Sequence, residues 1–348
     1  MKRKFGKIYI RFGEPVSLTD FVTSHPEEGS SGHKLLAFHL IRSINSVTLA
    51  TPFALMATAI LTRHRRGFHV TELTETTEMI LNFFKTYHIP MASTLSAHEN
   101  AVRESLAELV SGGVINTLEN VDGSETFYYL SEDKIPELSY YKHSIIHYFV
   151  SHAFVALSLL AGKEEITTTG QIESDYDFLK RTFRYEFIYD ERQDDGAKIE
   201  APLAYFMEAA FIVKDENREA SGYRLTKLGF DLLPLWADLI KPFLESYWIA
   251  ARTMLQDERK RKKRSDTLKN MVYMGHRFNK QGVINHIEAV NPLNFKNAVR
   301  LINTDILSEG GPSKADAQQG HAVNAQKRAP EMMERLSHFS QRLHTLSQ

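Results

Sequence analysis

Three groups of residues in this 348-residue chain have types and spacings that chemistry can use. His143 and His147 stand four apart, so a helix would put both imidazoles on one face, as in a pair of metal ligands. Neither a carboxylate nor a third histidine follows at matching spacing, which favours two histidines on a packed helix. Asp194-Asp195-Gly196, in the charged loop Glu191 to Lys198, lacks the ligand spacing of an EF-hand and reads as a turn. Zero cysteines remove thiolate ligands, thiol nucleophiles and disulfides, a pattern that fits the cytosol. No catalytic residue, metal site or cofactor is therefore expected. The third group is Arg259, Lys260, Arg261, Lys262, Lys263 and Arg264, six consecutive cations. Such a run is usually a solvated helix end, suited to the negative pole of a helix. Its functional reading is attraction to anionic lipid, worth about 1 kcal/mol per residue near a charged leaflet, with Trp248 and Met254 just upstream.

Composition sets the frame for these groups. A hydrophobic content of 43% can bury substantial cores, and the length suggests two or three domains. A formal charge of −1 supplies no overall field toward nucleic acid or an anionic bilayer, so such binding would need a local patch. Lys2, Arg3 and Lys4 precede an alternating stretch rather than an apolar run, which argues against a signal peptide. The expected location is cytoplasmic, peripheral on the inner face of the cell membrane if the basic run engages lipid.

The elements come next. Ile8, Ile10 and Phe12 share one face of a period-two pattern that Gly13 and Pro15 end, so one short strand is expected, with Ser17 or Thr19 capping a turn of helix after it. No comparable run follows for a hundred residues, which leaves the strand an orphan. Lys34 to Val47 carries Leu35, Phe38, Ile41 and Ile44 at helical spacing, and Thr51-Pro52 is a good helix start. The uncharged span between Arg42 and Arg63 is broken by Asn45, Pro52 and several Ser and Thr, so two buried helices meeting near Ala50 are favoured over a membrane crossing. The second such span, His143 to Gly162, holds three histidines and is expected to be a central bundle helix.

The sequence also repeats with a period of about 97 residues. Leu73, Met79, Ile80 and Phe84 match Ile172, Phe178, Leu179 and Phe183. Val114 to Leu118, a turn at 121–124 and Phe127 to Ser131 correspond to Phe211 to Lys214, a turn at 217–222 and Tyr223 to Thr226. Each copy reads as helix, helix, hairpin, then a long helix with Ser131 or Thr226 on its N-cap side. That is the plan of a winged helix, but Ala97 to Ser111 sets Arg103 against Glu99, Glu104 and Glu108, and Glu200 to Ala210 has no basic residue. Such faces repel phosphate, so the shape is expected to serve packing and no nucleic acid partner is expected. Phe230 to Leu255 reads as one or two helices with Pro234 and Pro242 setting starts or kinks; burial is the plain reading of Trp236, Phe243, Tyr247 and Trp248 and an interfacial belt the sharper one.

The resulting expectation is a mainly α protein, a helical bundle with two winged-helix-like helix-hairpin repeats and an orphan N-terminal strand. Its divisions are a strand remnant at 1–24, repeat 1 at 33–160 with hairpin 114–130, and repeat 2 at 161–258 with hairpin 211–225. A basic run and helical extension at 259–307, a flexible linker at 308–329 and an amphipathic helix at 330–348 complete it.

One family resemblance joins these parts. Lys7-Ile8-Tyr9-Ile10-Arg11 followed by Phe12-Gly13-Glu14-Pro15-Val16-Ser17-Leu18 resembles the segment that closes the acyltransferase domain in bacterial glycerol-3-phosphate 1-O-acyltransferases and their dihydroxyacetone-phosphate relatives. The block Ser139 to His147 and the later Phe178-Leu179-Lys180-Arg181-Thr182-Phe183 are similar to that family's C-terminal region in the same order. In such enzymes a His-four residues-Asp motif supplies the base for the substrate hydroxyl, and arginine-rich blocks hold the phosphate. None of the fifteen histidines here has Asp five positions on, and Glu28-Gly29-Ser30-Ser31-Gly32 lacks the family's arginines. The resemblance therefore implies the non-catalytic C-terminal region of such a protein, inactive alone. Its implied role lies in glycerophospholipid biosynthesis, its partner is an acyltransferase catalytic domain in cis or in trans, and an anionic membrane surface is a second partner. The rival readings are a stand-alone membrane- or protein-interaction module and, behind it, a winged-helix DNA-binding regulator.

Overall fold

The structure, a computed structural model, describes residues 7–26, 32–118, 125–162, 166–189, 195–215, 222–259, 267–303 and 330–339. The chain forms two compact units, Met1–Tyr148 and Phe149–Gln348, and is mainly helical in both.

The first unit is built around α3 (Pro52–Arg63), buried at almost every position from Pro52 to Thr62. Thr51 accepts the Ala54 amide at 3.2 Å and Pro52 fills the first turn, the start expected from sequence. A helix buried all round must hide its polar side chains, and Thr58 and Thr62 do so by donating to the carbonyls of Ala54 and Thr58 at 2.8 and 2.7 Å. Around it pack α4 (Val70–Thr86), α5 (His98–Ser111) and α6 (Ile135–Ile145). Between α5 and α6 lie β1 (Ile115–Leu118) and β2 (Phe127–Leu130), antiparallel with Ile115 opposite Leu130. Phe68, just before α4, makes an isolated antiparallel bridge to Tyr128 beside this two-stranded sheet.

Two expectations need correction here. The helix before α3, α2 (Gly32–Val47), forms but has no buried residue: Leu35 and Phe38 are half-buried, and Ile41 and Ile44 are exposed. Residues 7–12 form no strand: no described residue offers them a ladder, and Ile8, Ile10 and Phe12 are 84%, 75% and 89% exposed. Ser17 does cap α1 (Leu18–Ser24), accepting the Asp20 amide.

The span 143–162 is not one helix either. α6 ends at Ile145, a tight turn covers Ile146–Tyr148, and α7 (Val150–Ala161) begins the second unit. The turn is held by its own polar side chains: the His147 ring is 3.0 Å from the Asn45 carbonyl, and the Tyr148 hydroxyl donates to the carbonyls of Asn45 and Thr48 at 3.0 and 2.6 Å.

In the second unit the same order recurs. β3 (Thr167–Thr168), α8 (Thr169–Thr182), α9 (Asp195–Glu208), β4 (Ile212–Asp215) and β5 (Gly222–Leu225) lead into α10 (Lys227–Asp238). The strands line up β3-β5-β4, with Thr167 opposite Tyr223 as Phe68 is opposite Tyr128. α7, buried along nearly its whole length, packs on α8, α9 and α10. α11 (Lys241–Arg259) then meets α12 (Thr267–Lys280) and α13 (Pro292–Asn303), and a last helix, α14, covers residues 330–339. Pro234 lies inside α10 and Pro242 in the first turn of α11. Trp236, Phe243 and Tyr247 are buried, so the core reading of these aromatics holds; Trp248 is half-buried.

Buried charge in this unit is matched by donors. Glu245 accepts the backbone N–H groups of Asn285 and His286, both at 3.0 Å, and lies 3.1 Å from the His286 ring. Glu186, its carboxyl pushed up by burial, accepts from the Tyr247 hydroxyl at 2.8 Å and the Asn297 amide at 3.1 Å, which oppose that shift. Among the described residues no single helix is long and apolar enough to cross a membrane.

Candidate docking face

The surface most unlike a sealed exterior lies in the first unit, where residues 7–16 run beside α2. Alternation in the sequence gives Ile8, Ile10 and Phe12 a common face, and that face is open. α2 adds Leu40, Ile41 and Ile44, all exposed, from an amphipathic pattern that presupposes a neighbour. Scattered exposed apolar side chains are ordinary, but six within two adjacent segments form a patch of the kind that marks an interaction site.

The patch borders a cavity of about 990 Å³ whose walls include Ile8, Phe12, Leu40 and Ile44. Tyr9 pins the segment at one end by a 2.7 Å hydrogen bond between its hydroxyl and that of Thr94. Gly13 lies against α2, where a side-chain carbon would stand 3.6 Å from Val47. Phe53 from α3 and Tyr141 from α6 stack with centroids 5.5 Å apart and line the interior. Both signs of charge line it: Lys7, Arg11 and Glu14 come from the N-terminal segment, Glu104 and Glu108 from α5. Nearby, burial pushes the Tyr148 hydroxyl up to about 12, with Arg11 pulling the other way. The hydroxyl is therefore a fixed donor at neutral pH rather than an acid or base.

Aromatic and aliphatic walls with a rim of mixed charge suit a protein or amphipathic partner.

The residues singled out from sequence fall elsewhere. His147 spends its Nε2 on the Asn45 carbonyl, and His143 is exposed on α6. Among the described residues no group of three or more His, Asp or Glu is placed to hold a metal ion. Arg259 ends α11, but its side chain and Lys260, Arg261, Lys262, Lys263 and Arg264 lie outside the described residues, as do the turns at 121–124 and 217–221, the charged loop as far as Asp194 and the linker 308–329. The docking face itself escaped the sequence reading, although its signals were present: an alternating segment without a partner and a helical stripe without a complement.

Comparison with known proteins gives this face its setting. A sequence family described as the glycerol-3-phosphate acyltransferase C-terminal region matches residues 1–308. The chain is similar to a glycerol-3-phosphate acyltransferase of Pasteurella multocida (strain Pm70), 21% identical over 271 residues, which is 73% of this chain and 32% of that protein. Proteins of the same name from Pseudomonas paraeruginosa (strain DSM 24068 / PA7) and Pseudomonas aeruginosa (strain LESB58) are each 25% identical over 171 residues, 45% of this chain and 20% of theirs. The chain thus matches about a third or less of the length of these relatives. With helix, hairpin and N-terminal segment all inside the matched stretch, the chain belongs to the family of glycerol-3-phosphate acyltransferase C-terminal regions.

Proposed function

We propose that this chain is a non-catalytic helical companion of an acyltransferase module that acylates glycerol 3-phosphate, and so serves glycerophospholipid biosynthesis from the cytoplasmic side. The observation that carries this reading is the family match across residues 1–308. It is supported by a sequence in which no histidine is followed by Asp at the spacing such chemistry uses. The module itself is the partner we assign to the open face of residues 7–12 and α2, since the relatives extend far beyond the stretch this chain matches.

One experiment tests both parts. The purified chain is assayed for acyl transfer to glycerol 3-phosphate, alone and mixed with the part of the Pasteurella multocida relative that it does not match, and complex formation is followed by sedimentation. Background turnover by the chain alone and a complex weakened at least tenfold by Phe12→Ser or Ile44→Asp are expected. Enzyme-like turnover by the chain alone overturns the first part, and a complex indifferent to both substitutions overturns the second. A second reading, contact with an anionic membrane, rests on the cation run from Arg259 to Arg264. A DNA-reading role is disfavoured because α5 exposes Glu99, Glu104 and Glu108 around Arg103.

A further inference from the structure

Helix α14 lies beyond the residues that the family match covers, and it sits on the second unit. Three apolar side chains hold it: Met332, Leu336 and Phe339, 4%, 0% and 1% exposed, at i, i+4 and i+7. Phe339 stacks on Phe178 of α8 with centroids 6.2 Å apart and planes 17° from parallel. Arg335 lies over the same Phe178 ring at 3.9 Å and reaches Asp175 of α8 at 3.6 Å. Ser337 accepts from the indole N–H of Trp248, on α11, at 2.9 Å.

Two physical points separate this helix from the core beneath it. Helical stability in proteins comes mostly from packing an amphipathic face rather than from intrinsic propensity, so α14, whose described part is residues 330–339, owes its order to the seat. Its departure would also strand no buried charge. Asp175 keeps the Ser158 hydroxyl at 2.8 Å and the Gln171 amide at 2.9 Å, and the half-buried Trp248 indole can turn to water.

We propose that α14 is a detachable strap, and that the seat formed by Asp175, Phe178 and Trp248 is a docking groove for an amphipathic helix. The helix that fits it carries apolar residues at i, i+4 and i+7 and a cation at i+3 facing Asp175. The chain's own tail is the template for that ligand. Because it is tethered, it holds the groove at high effective concentration, and a helix in trans must compete with it.

The test uses the full chain and a fluorescein-labelled peptide of residues 328–348, followed by anisotropy. The peptide is expected to bind the Leu336→Asp chain at least tenfold more tightly than the wild-type chain, whose groove is already occupied. Arg335→Glu, which alters a partly exposed side chain, should shift affinity the same way by a smaller factor. A peptide carrying Leu336→Asp should bind neither chain. Hydrogen exchange on the wild-type chain needs no variant: amides of 330–339 should exchange at least a hundredfold faster than those of α11. Equal peptide affinity for wild-type and Leu336→Asp chains, or exchange in α14 as slow as in α11, overturns the proposal.

Discussion

Thr226 shows how much one hydroxyl can settle. It accepts the Gly229 amide at 2.9 Å, capping α10, and donates to the Ala210 carbonyl at 2.7 Å, tying the helix start to the hairpin. Thr226→Ala should cost about 1 to 2 kcal/mol, read as a lower urea midpoint at unchanged m-value. Its counterpart in the first repeat, Ser131, was expected to cap in the same way but instead accepts from the Asn116 amide at 2.7 Å and makes no cap hydrogen bond. The residue type was legible; which of two donors it would serve was not, because Asn116 meets it only once the hairpin closes. Two buried histidines give stability a pH dependence on the acid side. Burial lowers His64 to about 4 and His152 to about 3. A histidine whose folded value lies below its unfolded value leaves the folded state with fewer protons, so its contribution is complete above about pH 6.5 and is lost as pH falls toward the folded value. Each fully buried ring should remove about 1.4 kcal/mol per pH unit in that window. The urea midpoint should therefore drop between pH 7 and pH 5, and His152→Phe, among Tyr205, Phe206 and Trp236, should flatten the slope.

At the scale of elements, the hairpins and their flanking helices were readable because turn chemistry and periodicity are local. The pairing that each hairpin makes with the chain before it was not. Phe68 and Thr167 pair across a long stretch of chain, with Tyr128 and Tyr223, and no short-range pattern announces such a bond. Close approach of α10 to the hairpin also explains Gly229: a side-chain carbon there would overlap the Phe211 carbonyl, a backbone group that cannot step aside. Gly229→Ala should destabilise the second unit by about 3 kcal/mol or more, visible as a lowered thermal midpoint. The single helix expected over 143–162 failed for a related reason. Apolar content favoured continuity, but the bonds from His147 and Tyr148 to Asn45 and Thr48 fix a turn there, and they exist only in the folded unit.

For the molecule as a whole, the absence of the family's histidine motif and the mainly helical build were both legible in the sequence. The docking face was not, since exposure depends on what fails to cover a stripe. Membrane contact is decided separately from acyl transfer. If the cation run binds lipid, the chain should co-sediment with phosphatidylserine vesicles but not with neutral ones, and replacing Arg259 to Arg264 by Gln should abolish the difference. Sedimentation indifferent to vesicle charge removes that role.

The chain's two tryptophans, Trp236 and Trp248, both belong to the unit that begins at Phe149. Trp236 is sealed among Phe149, Tyr205 and Phe206, while Trp248 borders the C-terminal helix. Indole emission is consequently blind to Met1–Tyr148, whereas ellipticity in the far ultraviolet senses every helix. Melting curves recorded by the two optical signals would coincide only if both halves of the polypeptide come apart together.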